Sequence, residues 1–349
     1  MPPSSGPATT RARAAGQVRT VVRHRAPTWN SGLWSLVAVF MTITQVRSWL
    51  VGIPLRDPHG EILLSRLGLS AAISVVLVAI DTMVRTAPPR LRRGALANTL
   101  RVRWDRSRLL LVAQGLLAYH LVYFCYHNLK SWDVLNPPQD HMLLAWDRWL
   151  FVGHTPAVLL HDLLGQHLAA YLLMVVYESF STIVSISFVA ALVLPDRVRD
   201  GYVFIASMVC VWILGVASYY AIPSLGPFHS DPRAFAALPH TMVQDTQARY
   251  LAQRAHLLAH PLAGDSFAQV SAFASLHIAV TTVIVLMVRF YRMRLLTIAM
   301  SVFLVGTVLA TIYLGWHFAV DDLAGLLLGW VSVRAGRWLI LRERPRATA

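Results

Sequence analysis

The chain is almost devoid of lysine: among the 31 basic residues in its 349 positions, Lys130 is the only one, and all others are arginine. Cysteine is scarce too, with only Cys125 and Cys210, and charged residues amount to 14%. Each scarcity excludes something. Two cysteines, one of them deep in an apolar run, support neither a disulfide framework nor a cysteine-based metal site. So few charges against 56% hydrophobic residues exclude an ordinary soluble domain of this length. No internal repeat stands out.

What is present is a series of long apolar runs. Crossing about 30 Å of hydrocarbon takes roughly 20 apolar residues as helix, because unpaired backbone groups are costly in lipid. The sequence predicts spans near 33–54, 66–84, 109–128, 167–194, 202–222, 273–288, 296–315 and 318–340. The fold class expected is therefore all-α, a polytopic membrane bundle of about eight transmembrane helices. The expected organisation is a basic tail over 1–32, two helices and an Arg-rich loop over 33–108, a six-helix core over 109–340 and a short tail over 341–349. A full-length first span without a small-residue cleavage site reads as an uncleaved helix rather than a signal peptide.

Positive charge collects on alternate loops, which orients the bundle. One set holds Arg11, Arg13, Arg19, Arg23 and Arg25, then Arg85, Arg90, Arg92, Arg93, Arg101, Arg103, Arg106 and Arg108. It continues with Arg197, Arg199, Arg289, Arg292, Arg294, Arg334, Arg337, Arg342, Arg344 and Arg346. That side is expected to be cytoplasmic, with both termini. The net charge of +14 is explained by these juxtamembrane arginines and their attraction to anionic lipid, so nucleic acid is not an expected partner. The arginine bias resembles high-GC bacterial coding, and a bacterial plasma membrane is the expected location.

Ionisable residues in or near spans are candidates for function, weighed against simple pairing. Asp81 and Arg85 have the spacing of an ordinary helical pair. Glu178, in Tyr177-Glu178-Ser179-Phe180, has no partner in sequence and leaves structural and substrate-contact roles equally open. Arg47 is placed to snorkel. Most of the 14 histidines fall at outer helix ends and need no special role, but two have better context.

His277 in Phe273-Ala274-Ser275-Leu276-His277 sits at the outer start of a span, where free N–H groups favour an anion and the Ser275 hydroxyl can add a hydrogen bond. His317 in Tyr313-Leu314-Gly315-Trp316-His317-Phe318-Ala319-Val320-Asp321-Asp322 stands where two spans meet. A helical turn there would put Asp321 beneath the imidazole, able to fix its tautomer. The alternation of spans brings both histidines to one face. Two imidazoles and a carboxylate suit phosphoryl transfer, one attacking phosphorus and the other protonating the leaving oxygen.

At these residues the chain resembles the type 2 phosphatidic acid phosphatase superfamily, whose motifs are K-x6-R-P, P-S-x-H and S-R-x5-H-x3-D on a six-helix core. The resemblance implies His317 as nucleophile, Asp321 as its orienting carboxylate, His277 as general acid then base, and Ser275 as phosphate ligand. Departures are clear. The Pro before Ser275 is Ala274, the arginine six before His317 is Thr311, and the basic slots of the first motif hold Tyr219 and Gly226. Lys130, followed by Pro137 and Pro138, mimics half that motif before the wrong helix. The altered set, with the segment Asp147-Arg148-Trp149-Leu150-Phe151-Val152-Gly153-His154-Thr155-Pro156, resembles the branch containing inositol phosphorylceramide synthases.

The expected activity is thus transfer of a phospho-headgroup from a phospholipid to a lipid alcohol at the non-cytoplasmic face, or hydrolysis of a lipid phosphate with water as acceptor. Tyr219, Arg249 and Arg254 are expected substrate-binding residues, with Arg148 and Arg233 as further cations. No cofactor or metal is called for, although His277, His317 and Asp321 could share an ion. The segment 223–272 has the length of a lid, or of a packing surface. A transporter built around Glu178 and a non-catalytic scaffold are the rivals from other classes. Oligomeric state is not encoded in any readable feature.

Overall fold

The computed structural model describes residues 28–86 and 93–342. The arginines of the tail before residue 28, Arg90, Arg92, Arg344 and Arg346 lie outside the described residues, as does His24.

Among the described residues there are helices and no strand. The chain runs through α1 (Ser31–Val51), α2 (Leu64–Thr86), α3 (Arg93–Arg103), α4 (Arg106–Asp133), α5 (Asp140–Leu150), α6 (Pro156–Leu164), α7 (Leu168–Val193) and α8 (Val198–Ala221). It continues through α9 (Pro227–Ser230), α10 (Met242–Ala259), α11 (Leu276–Phe290), α12 (Arg294–Tyr313) and α13 (Ala319–Leu341). Among the described residues seven helices, α1, α2, α4, α7, α8, α12 and α13, are long and apolar enough to cross a membrane. The helix expected over 273–288 is α11, which has 15 residues and enters at Leu276 after an extended Ser275.

Burial separates the centre of the bundle from its lipid-facing rim. In α8, 78% of the apolar window is buried against 22% in α1, so α8 is the hub and α1 faces lipid. The hub contacts α4, α7, α11 and α13. Small residues on α13 set its close approach to α11: a Cβ at Gly325 would lie 2.5 Å from the Ser275 carbonyl oxygen, and one at Gly329 equally close to that of Ala279. Two turns further on, Gly336 lies directly against Ser207 of α8. Glycine here removes side-chain bulk so that backbones can touch.

The two ends of the bundle differ in chemistry. At one end Asp81 pairs with Arg85 at 2.7 Å, as its spacing suggested, and with Arg103, which also reaches Asp196. Arg108 donates to the carbonyls of Val193, Pro195 and Asp196, and Arg199 to that of Ile340. The opposite end carries α5, α6 and α9, helices too short to be spans, and α10, which is too polar to be one. The segment 223–272 is folded rather than open loop. α10 starts with Thr241 and Gln244 capping each other's turn, and Gln247 is buried with its amide on the Leu314 carbonyl at 2.9 Å. Cys125 and Cys210 are buried and unbonded.

Candidate active site

The His317 turn is built locally. Where α12 ends, Gly315 adopts φ 78, a left-handed conformation, and the N–H groups of Trp316 and His317 both return to the Thr311 carbonyl at 3.0 and 3.2 Å. The chain then enters α13, whose first N–H groups lack helical partners. Asp321 Oδ2 accepts one from Phe318 at 3.0 Å, and lies 3.4 Å from His317 Nδ1. Asp147 of α5 takes the next two, from Ala319 at 2.9 Å and Val320 at 3.0 Å.

α5 braces a second segment in the same way. Asp140, two turns before Asp147, accepts the N–H groups of Leu225 and Gly226 at 2.9 Å each. Burial raises the pKa of both carboxyls, and the paired backbone N–H groups pull it back down. α5 is therefore a clamp on the segment that follows α8 and on the start of α13.

Opposite the turn, the Ser275 N–H donates to the Asp321 carbonyl at 3.0 Å, which ties the start of α11 to the start of α13. His277, one residue into α11, faces His317 with ring centroids 5.9 Å apart. Aromatic walls fix it: Tyr177 stacks on it at 4.5 Å and Phe180 lies at 4.4 Å, while Tyr177 in turn stacks on Trp316 at 5.5 Å. His317 is 6% exposed, and its pKa is pushed well down by burial first and then by His277 and Lys130 nearby. Burial thus disfavours the charged imidazole, and the Asp321 carboxylate lies on its Nδ1 side.

Both histidines line a cavity of about 260 Å³ together with Tyr219, Arg249 and Glu178. Of the anticipated residues, the structure thus gathers His277, His317, Tyr219 and Arg249 on one wall system, with Asp321 immediately behind His317. Ser275 is fully buried off the cavity wall, its hydroxyl without a hydrogen-bond partner among the described residues, and Arg254, Arg148 and Arg233 are not on the wall either. Arg148 lies 3.9 Å from Asp231. Glu178 forms no ion pair among the described residues, although its carboxylate feels Arg249 across the cavity.

Two cations on the wall were not anticipated. Lys130 at the end of α4 lies 5.7 Å from the Tyr219 ring centroid, and Arg66 at the start of α2 lies over Tyr123 at 5.2 Å. Lys130 stands before the wrong helix for the family motif, but α4 packs on α8 and brings it to the ring of Tyr219, which occupies the motif's lysine slot. Its status as the sole lysine, near the end of an apolar run, was the available signal. Arg66 had none. Thr311, in the slot of the motif arginine, donates to Asp322 at 2.9 Å. Among the described residues no three His, Cys, Asp or Glu side chains are placed to hold a metal ion.

The geometry agrees with comparison to known proteins. No curated protein and no solved structure matches the chain. A family model described as the PAP2 superfamily matches residues 141–335, more than half of the chain and including His277, His317, Asp321 and the α5 clamp residue Asp147. The protein is an integral membrane enzyme of the phosphatase or phosphotransferase type and belongs to the PAP2 superfamily.

Proposed function

We propose that the protein is a lipid phosphotransferase that moves a phospho-headgroup to a lipid alcohol through a phosphohistidine on His317. The observation that carries this reading is the pair of imidazoles at 5.9 Å, sharing one cavity, with Asp321 on the Nδ1 of one of them. A phosphorus atom between the rings would be within reach of both.

His317 Nε2 attacks phosphorus, the bond to the donor alcohol breaks, and His277 gives that oxygen its proton. Asp321 stabilises the positive charge that forms on His317. In the second half His277 takes the proton of the acceptor hydroxyl, whose oxygen attacks phosphorus, and the P–N bond breaks with its electrons returning to Nε2. Lys130, Arg66 and Arg249 supply the positive field for the phosphoryl oxygens, aided by the N-terminus of α11. They stand in for the absent motif cations. The arginine-rich end lies opposite the cavity, which supports a site at the extracytoplasmic face, in keeping with the bacterial plasma membrane expected from sequence.

The phosphoinositol-like headgroup is carried over from the resemblance of the motifs, and turnover decides it. Purified protein would be given labelled phospholipids in detergent with EDTA, with and without a lipid alcohol, beside His317→Ala. Product that needs the alcohol and His317 supports the transferase. Phosphate release that needs His317 but no alcohol makes the protein a phosphatase. Turnover indifferent to His317 overturns the mechanism.

A further inference from the structure

At the end of the bundle away from the histidines, α11 and α13 part. Their backbones touch at Gly325 and Gly329, but α13 then turns its small-residue stripe to α8, where Gly336 meets Ser207. Beyond that crossover both helices carry large side chains, and a groove of about 410 Å³ opens between them. Its floor is apolar, from Leu286 and Val333, and its sides carry Arg289, Arg334 and Arg337.

These three arginines differ from four others at this end. Arg85 and Arg103 meet carboxylates, and Arg108 and Arg199 are spent on backbone carbonyls. Among the described residues, Arg289, Arg334 and Arg337 meet no carboxylate and donate no hydrogen bond. Arg334 lies over the Trp330 ring at 4.9 Å and Arg337 over that of Phe290 at 5.4 Å, so the guanidinium planes are steadied by aromatic faces with their edges free. Trp330 itself is 48% exposed on a membrane-spanning helix. A tryptophan, an apolar floor and three unpaired guanidiniums at a helix end match a phospholipid: rings at the headgroup level, acyl carbon on the floor, phosphate oxygens on the arginine forks.

We propose that this groove is a binding site for one anionic phospholipid of the leaflet opposite the candidate active site. The occupant is a lipid and not free phosphate, because an isolated anion would leave the apolar floor and Trp330 uncovered. The inference is independent of the reaction assigned to the histidines.

The full-length protein in a mild non-ionic detergent would be titrated with phosphatidylglycerol, phosphatidylcholine or inorganic phosphate, and bound species counted by native mass spectrometry. The wild type is expected to hold one phosphatidylglycerol in preference to phosphatidylcholine. The double variant Arg334→Gln/Arg337→Gln is expected to bind it about 25-fold more weakly, at roughly fivefold for each arginine removed. Arg197→Gln, at the same end but outside the groove, should leave this binding unchanged, and the Lys pair at 334 and 337 should retain much of it. Size-exclusion profiles establish that each variant is folded. Equal binding by the double variant, an equal loss in Arg197→Gln, or displacement by millimolar phosphate would each overturn the site.

Discussion

Asp147 on α5 accepts the N–H of Ala319, the first residue of α13, at 2.9 Å, so the His317 turn is capped by a carboxylate from a distant part of the chain. The carboxylate is 2% exposed and serves two backbone donors. Asp147→Ala should lower stability by about 2 to 3 kcal/mol, the scale of hydrogen bonds to a charged group left unmade. Asp147→Asn, which keeps one acceptor oxygen, should cost less. Thermal unfolding in detergent checks the order, and an alanine variant as stable as wild type would refute the capping role.

The separation of the histidines depends on Gly325. A methyl group there would meet the Ser275 carbonyl oxygen at 2.5 Å, and backbone on both sides leaves no flexible side chain to yield. Gly325→Ala is expected to cost about 1 to 3 kcal/mol as an overpacking change. It should also depress kcat more than KM, because the start of α11 must shift away from His317. A variant with unaltered kcat would show that the contact does not set the site.

Lys130 should matter more than any arginine named from sequence. Lys130→Met is expected to lower kcat/KM by about 10²- to 10³-fold, the range for removing a group aimed at developing negative charge. Arg254→Gln, off the cavity wall, should stay within about threefold of wild type. Steady-state kinetics on the same donor would separate the two, and the reverse ranking would reassign the phosphate-binding cation.

The pH profile follows from the burial of His317. Its pKa is lowered, so the neutral nucleophile persists as pH falls through the usual histidine value of about 6.5. Protonation removes the attacking lone pair, so the acidic limb that His317 sets on phosphoenzyme formation should lie below that value. Rapid-quench measurement of labelled enzyme against pH tests this. An acidic limb centred at or above 6.5 would contradict it.

Sequence made the spans legible because each is long and uniformly apolar, and α1, α2, α4, α7, α8, α12 and α13 lie where hydropathy put them. His277, His317 and Asp321 were legible because their spacing is local to two helix starts. Long-range contacts were not. Nothing in the sequence says that Asp147 and Asp140 point at backbone N–H groups far along the chain, or that Ser275 is buried off the cavity wall. Arg66 reaches the cavity only through the packing of α2 beside α4 and α7, a contact no periodicity encodes.

The brevity of α11 has a consequence for how a lipid would meet the enzyme. Its 15 residues rise about 22 Å at 1.5 Å each, against about 30 Å for the hydrocarbon layer. With Arg289 near one interface, the end bearing His277 stops several ångströms short of the other. The cavity between the histidines would then be a well sunk below the bilayer surface, and a substrate phosphate would need only to dip into it while its acyl chains stay dissolved in the membrane.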